Sequence, residues 1–339
     1  MTILVTGGLG YIGSHTVVEL LNNNFEVVII DDLSNTEKFI LKNIEEITGK
    51  KPIFYPFDLK RKELLKQVFD AHKIEGCIHF AAYKAVGESQ EKPIDYYENN
   101  LFSLINLLQE MKERNISNFI FSSSCTVYGQ ADTMPIDENT PLKLPESSYG
   151  KTKQMGEEIL KDFATAHQKK VTLLRYFNPI GAHPSAKLGE LPIGIPNNLV
   201  PYVMQTAAGV REKLSVWGND YPTEDGTAIR DYIYVVDLAK AHVKALQKLI
   251  SENSETVIDI YNLGTGKGSS VLEVVHAFEK ANDVAVPYQI CERRAGDITI
   301  AYANADKAEK ELGWKSETSL EEALRTVWQW QKYLETREK

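Results

Sequence analysis

A chain of 339 residues, 43% hydrophobic and 25% charged, has the composition of an ordinary globular protein and is long enough for one large domain with a smaller one beside it. Its 38 basic against 47 acidic residues leave a formal charge of −9, which argues against nucleic acid or an anionic membrane surface as the main partner and leaves room only for a local basic pocket around a phosphorylated ligand. No apolar stretch approaches the ~20 residues of a membrane span, Met1 runs straight into an apolar run so that no signal peptide is expected, and three widely separated cysteines (Cys77, Cys125, Cys291) are expected to stay reduced in a cytoplasmic setting.

The chain opens on Ile3-Leu4-Val5-Thr6-Gly7-Gly8-Leu9-Gly10-Tyr11-Ile12-Gly13, a β-branched run followed by glycines three apart, and then carries apolar residues at helical intervals (Ile12, Val17, Leu20, Leu21). This reads as strand, tight turn and helix, a cradle for a dinucleotide. Gly7, Gly10 and Gly13 let the backbone approach a pyrophosphate and let the helix pack close to the sheet, while the helix N-terminus offers free N–H groups and the positive end of its dipole. The spacing is one residue longer in its first gap than the common G-x-G-x-x-G fingerprint, so the context carries the reading. About 20 residues further on, Val27-Val28-Ile29-Ile30 ends in Asp31-Asp32, where a nucleotide fold places the carboxylate that receives the ribose hydroxyls. An acid there favours NAD over NADP, because a 2′-phosphate would meet like charge. The plainer alternative, that both aspartates only end a strand and begin a turn, loses weight beside a glycine loop at the right distance.

A helix is expected within 33–51, a third strand at 52–56 leading to Asp58, a helix over 60–72, and a strand at 77–82 that empties into small residues. Strands alternating with helices at this pace predict parallel pairing and right-handed crossovers, with binding residues at the carboxyl ends of the strands. Asp58, Phe80, Ala81 and Lys84 fall there. Residues 93–114 read as one long helix that carries Asn99 and the apolar face Leu101, Ile105 and Leu108, and it feeds a strand over 119–124.

Two stretches then carry chemistry. One is the hydroxyl cluster Ser122-Ser123-Ser124-Cys125-Thr126 at a strand end; the other is Ser147-Ser148-Tyr149-Gly150-Lys151-Thr152-Lys153, opening a helix with the stripe Met155, Ile159 and Phe163. Tyr149 and Lys153, four apart, project from one helix face. A free phenol titrates near ~10 and is a poor base at neutral pH, whereas a neighbouring ammonium and the positive ring of a nicotinamide both favour the phenolate. Alone, such a pair is commonplace on solvated helices; together with Ser124 and the glycine loop it marks a proton-transfer site.

Beyond Phe177 the chain becomes rich in Pro, Gly and Asn, as a loop-heavy substrate module would be. Asn197, Asn198, Trp217, Arg230, Arg294 and Asp297 fall in or near it; two arginines can grip a diphosphate, while asparagines and carboxylates suit sugar hydroxyls. Strand and helix patterns return over 231–262, which predicts a dinucleotide-binding module over 1–177 interleaved with a mainly substrate-binding module over 178–339. The seven histidines are scattered, none at ligand spacing from a cysteine or another histidine, and no metal is expected.

The glycine loop, the 122–129 stretch, Tyr149-Gly150-Lys151-Thr152-Lys153, Leu174-Arg175-Tyr176-Phe177-Asn178-Pro179-Ile180-Gly181-Ala182-His183, Gly218-Asn219-Asp220-Tyr221-Pro222-Thr223-Glu224-Asp225-Gly226-Thr227 and Arg230-Asp231-Tyr232 together resemble the NAD-dependent epimerase/dehydratase family of extended short-chain dehydrogenase/reductases. The match spans nearly the whole chain, and its last three motifs are far more specific than the glycine loop. The resemblance implies a Rossmann-type doubly wound α/β sheet with a smaller interleaved substrate domain, and a homodimer formed through the helices of Tyr149 and Asn99. It also implies a tightly held NAD and reversible inversion at C4 of UDP-glucose and UDP-galactose through a 4-keto sugar. Position by position it implies Ser124, Tyr149 and Lys153 as catalytic residues. Tyr11, Ile12, Asn35, Leu59 and Phe177 join the cofactor set of Gly7, Gly10, Gly13, Asp31, Asp58, Phe80, Ala81, Lys84 and Asn99, to which Tyr149 and Lys153 also belong. Asn178, Leu199, Tyr232 and Ala301 join Ser124, Tyr149, Asn197, Asn198, Trp217, Arg230, Arg294 and Asp297 around the UDP-sugar. Ala301, in Arg294-Ala295-Gly296-Asp297-Ile298-Thr299-Ile300-Ala301, stands where a bulky tyrosine accompanies restriction to unacetylated sugars, so the resemblance extends the expected range to UDP-GlcNAc and UDP-GalNAc. Nucleotide-sugar 4,6-dehydratases of the same family carry an Asp-Glu pair after the strand-end hydroxyl; here Cys125 and Thr126 occupy those positions.

Overall fold

In the computed structural model, which describes residues 1–294 and 297–337, seven strands form one parallel sheet. They are β1 (Thr2–Thr6), β2 (Glu26–Ile30), β3 (Ile53–Tyr55), β4 (Ile74–His79), β5 (Asn118–Ser122), β6 (Lys170–Tyr176) and β7 (Val257–Leu263), in the spatial order 3-2-1-4-5-6-7. Every neighbouring pair is parallel. Sheets of this kind are covered on both faces, so their strands read as continuous apolar runs. The pleat divides them: Ile3, Val5, Ile29 and Ile78 enter one apolar cluster, while Leu4, Val28, Cys77 and Phe119 enter the other. The order reverses at β1, between β2 and β4, which opens a crevice at the carboxyl ends of β1 and β4 where ligands of doubly wound sheets bind.

Past β6 the chain leaves the sheet in short pairs. Asn178–Ile180 pairs with Tyr232–Tyr234, Leu214–Trp217 with Tyr288–Cys291, and Ile229–Arg230 lies between Ser269–Ser270 and Ile300–Ala301. The chain also returns. Helix Val235–Ser251 packs on the first helix, Tyr11–Asn22, and β7 closes the sheet beside β6. Residues 93–114 are helical as expected, yet not uniformly so: Pro93–Tyr97 and Ser103–Glu113 are α-helical, and Glu98–Phe102 between them winds as a π-helix. The strand expected over 119–124 stops at Ser122, and Ser124 instead caps the 3-10 turn Cys125–Tyr128. Ala295 and Gly296 lie outside the described residues.

Candidate active site

The glycine loop is built for close approach. Gly7 has φ +67, and a Cβ on it would come within 2.8 Å of the Ala81 nitrogen; a Cβ on Gly13 would overlap the Gly7 carbonyl oxygen. Gly10 caps the first helix without a side chain, so the N–H groups of its opening turn have no side-chain acceptor. Such a concavity of backbone donors at the positive end of a helix fits a pyrophosphate. Asp31, 9% exposed at the end of β2, accepts from Leu9 N and Leu33 N, both at 3.0 Å. Burial raises its pKa, and those backbone donors work in the opposite direction. Asp31 thus steadies the glycine loop through Leu9 N and its own turn through Leu33 N. Asp32 takes the plainer role, accepting from Ser34 within its own turn.

Around the crevice, Asp58 accepts from Lys60 N at 2.8 Å, and Leu59 is buried beside it. Phe80 follows β4 and lies 4.8 Å from the His242 ring, with Ala81 next to it against the glycine loop. Tyr11 donates to the Gly181 carbonyl at 2.7 Å, and Ile12 packs against the core from the same turn. Lys84 stands 6.0 Å from the Tyr11 ring centre and pairs with Glu190 at 2.9 Å. Phe177 is buried with Val127, Tyr128 and Ala301. Asn35 and Asn197 are exposed and make no contact that ties them to this centre.

The catalytic candidates converge at the carboxyl end of β5. Ser147 caps the helix Ser148–His167 by accepting from Gly150 N at 3.1 Å, which puts Tyr149 in the first turn and Lys153 one turn on. Lys153 Nζ donates to the Ser122 carbonyl at 2.7 Å and lies 5.8 Å from the Tyr149 ring centre. Ser124 Oγ accepts from Thr126 N at 3.2 Å and Thr126 Oγ1 at 3.0 Å. All three are buried. Burial pulls the Lys153 ammonium down to about 7, against the opposing charge of Glu157. Burial also pushes the Tyr149 phenol well above its ordinary value, and its hydrogen bond with Ser124 opposes that rise. Burial therefore dominates the phenol, and the Lys153 ammonium that the i,i+4 spacing suggested as its activator is not among the groups that shift it.

Several residues of this centre escape a reading by motif. Asn100 Oδ1 accepts from Tyr83 N at 2.8 Å and from Asn99 Nδ2 at 3.1 Å, and its Nδ2 donates to Thr152 at 2.9 Å. On an α-helix two adjacent residues face directions about 100° apart; the π-turn brings Asn99 and Asn100 both inward. The Asn-Asn doublet just before the apolar stripe of this helix is the available signal. Tyr176 pairs with Ser122 Oγ at 2.8 Å, and Glu157 and Arg175 form a buried ion pair behind the strand end.

Across the crevice, Arg230 Nη2 meets Asp297 Oδ1 at 2.6 Å, and Arg294 Nη2 reaches the other oxygen at 3.4 Å with its guanidinium 5.9 Å from the Trp217 ring centre. One carboxylate therefore gathers both arginines beside an aromatic face, a grip suited to a nucleoside diphosphate. Asp231, fully buried, accepts from Thr265 N at 2.9 Å, Thr265 Oγ1 at 2.8 Å and Ala303 N at 3.1 Å, which fixes its neighbours Arg230 and Tyr232. Asn178 Nδ2 donates to the Asp231 carbonyl at 3.2 Å, and Ala301 pairs with Arg230. Asn198 donates to Glu190 at 2.8 Å just before Leu199 opens the helix Leu199–Ala207.

A family model described as GDP-mannose 4,6 dehydratase matches residues 4–327. The UDP-glucose 4-epimerase of Bacillus subtilis (strain 168) is 54% identical over 332 residues, covering 98% of this chain and 97% of the relative. Among solved structures, UDP-glucose 4-epimerase from Bifidobacterium longum in complex with NAD+ and UDP superposes with a TM-score of 0.94 at 48% identity, covering 98% of both chains. The enzyme from Stenotrophomonas maltophila with bound NAD and formylated UDP-arabinopyranose gives 0.96 at 45% identity, covering 99% of both.

Proposed function

The chain belongs to the family of the GDP-mannose 4,6 dehydratase model and, within it, to the UDP-glucose 4-epimerases, and from that premise we propose how its residues interconvert UDP-glucose and UDP-galactose. The observation that carries the reading is the meeting of Ser124, Tyr149 and Lys153 at the end of β5, between a glycine cradle that only a dinucleotide needs and an arginine pair that suits a diphosphate. NAD, when bound, takes a hydride from C4 and returns it. Residues 1–177 hold the cofactor, with Gly7, Gly10 and Gly13 under the diphosphate and Asp31 on a ribose. Residues 178–339 hold the UDP-sugar, with Arg230 and Arg294 on its diphosphate and Asn178 and Asn198 beside the sugar. Tyr149 accepts the C4 hydroxyl proton, directly or through Ser124, and Lys153 keeps a proton at Nζ one helical turn away. The resulting 4-keto sugar turns about its bond to the diphosphate, so that the returning hydride meets its other face and inverts C4.

Elimination to a 4,6-dehydratase product needs an acid after Ser124. Here burial pushes the Cys125 thiol up to about 12, and Thr126 donates its hydroxyl to Ser124. Neither supplies one. Two further readings accompany the main one. Ala301, small and packed with Phe177 and Val127, leaves room near the sugar, which supports conversion of UDP-GlcNAc and UDP-GalNAc. Ile105, Leu108, Ile159 and Phe163 line an apolar groove, with Ile94 and Phe102 exposed on the same helical stretch as Ile105, which supports a homodimer formed by this helical face. The test of the central reading is the absorbance of the holoenzyme on adding UDP-galactose, followed by coupled turnover. Reduced nicotinamide forming on the protein and net conversion to UDP-glucose are expected; no conversion overturns the reading.

A further inference from the structure

Behind the proposed proton-transfer centre lies an ion pair that the mechanism does not touch. Glu157 and Arg175 are 0% and 2% exposed. Arg175 Nε donates to Glu157 Oε1 at 2.9 Å, Nη2 donates to Oε2 at 2.5 Å, and Nη1 donates to the Tyr128 hydroxyl at 3.0 Å. Tyr128 passes the chain on to Asn262 Oδ1 at 2.7 Å. The remaining contact is the informative one: Ser123 Oγ donates to Glu157 Oε1 at 2.6 Å. Ser123 sits between Ser122, whose carbonyl holds Lys153 and whose hydroxyl meets Tyr176, and Ser124, whose hydroxyl accepts from Thr126.

A buried ion pair is weak evidence for stability, because desolvating two charges roughly cancels their attraction and apolar replacements of the same volume often serve as well. Retaining one here calls for another account, and its single link to the strand end provides it. Resting on the catalytic roles assigned above, we infer that Glu157, clamped by Arg175, is a positioning residue that fixes the end of β5 through the Ser123 hydroxyl and so sets where Ser124 and Lys153 stand relative to Tyr149. The sequence suits the task. Glu157 lies one turn beyond Lys153 on the same helix and Arg175 lies on β6, so one carboxylate ties the helix of the proton-transfer pair to two adjacent strands.

The test uses NAD-loaded enzyme and the variants Ser123→Ala and Glu157→Met/Arg175→Met, the second removing both charges together so that neither is left buried alone. Small displacements at a reacting centre can cost about a hundredfold in rate. Both variants are expected to lose about ten- to a hundredfold in kcat, with KM for UDP-galactose and bound NAD unchanged, and to slow single-turnover formation of reduced nicotinamide by the same factor. A wild-type kcat in either folded variant overturns the inference, as does a loss confined to KM, NAD content or melting temperature. Tyr149→Phe, assayed alongside, separates the two levels: if it is inactive while Ser123→Ala is fully active, only the role of Glu157 falls; if Tyr149→Phe is itself fully active, the catalytic assignment beneath it falls.

Discussion

Tyr149 has one oxygen to offer, and its surroundings decide what that oxygen does. Burial keeps the phenol protonated in the protein alone, while Ser124 and the charge of a bound nicotinamide favour its ionised form. Tyr149→Phe removes this oxygen and keeps the ring, so it is expected to fold and retain NAD yet lose roughly a hundredfold or more of its turnover; near-native coupled turnover would exclude Tyr149 as the base. Asp31 accepts from Leu9 N, and the role proposed for it is to receive a ribose hydroxyl of the cofactor. Asp31→Asn leaves an acceptor for Leu9 but removes the charge, and losing charge-assisted bonds worth about 1.5–3 kcal/mol should speed NAD loss on dialysis. Retention equal to the wild type would free Asp31 from the ribose role. These two roles follow from motif and spacing. Asn100 and Glu157 are not legible in the sequence, because each makes its contact through a hydrogen bond to a residue far off in the chain. Ala301→Tyr, which fills the pocket beside Phe177, is expected to suppress turnover of UDP-GlcNAc more than that of UDP-galactose. A wild type with no UDP-GlcNAc turnover would refute the open pocket.

The first helix and the helix around Asn99 show what pattern can and cannot carry. Three glycines before an apolar stripe identify strand, turn and helix, because only glycine fits where Gly7 adopts a positive φ and where Gly13 faces the Gly7 carbonyl. Gly13→Ala therefore forces that turn apart, and the variant is expected to purify without NAD, read as the nucleotide released per protein on denaturation; a full complement of NAD would show that the cradle does not hold the pyrophosphate. By contrast, the apolar face of residues 93–114 announces a helix but not its π-turn, since one extra residue in a turn leaves the average spacing nearly unaltered. The same face leaves Ile94 at 72% and Phe102 at 55% exposed, an apolar surface that a lone chain has no reason to keep. Ile105→Glu puts a charge into the groove that Ile105 forms with Ile159 and Phe163 and is expected to shift the protein to monomers in sedimentation. If the wild type already sediments as a monomer, the dimer proposal fails.

The parallel pairing, the gathering of site residues at the strands' carboxyl ends and the return of the chain near 231–262 follow from the alternation of strands and helices, whereas the strand order and the packing of the loop-rich second half, held by long-range anchors such as Asp231, do not. Packing of the two halves also encloses histidines whose titration the sequence leaves open. Burial lowers His15 and His79 to about 3 and His242 to about 4. Among the described residues, His242 Nε2 has no hydrogen-bond partner, so a proton added there would have no acceptor. In the unfolded chain each titrates near ~6.5. Between that value and the folded one the unfolded state binds more protons, so stability rises with pH across the window and is lost as pH falls from about 6.5 toward 4, at up to ~1.4 kcal/mol per pH unit for each histidine. Buried carboxyls with raised pKa, Asp31 and Asp231 among them, act with the opposite sign from their unfolded values near ~4 upward, which makes the fall shallower toward the acid end of the window. With NAD held saturating, the melting temperature is therefore expected to fall gently from pH 8 to 7, where unfolding lets the Lys153 amine take up a proton, and steeply from 6.5 to 5.5. Burial also lowers His183, so His242→Leu, which removes one of these groups and keeps an apolar body against Phe80, should make the fall shallower without abolishing it. An equally steep fall in that variant would mean that His242 is not one of the groups whose protonation unfolds the protein.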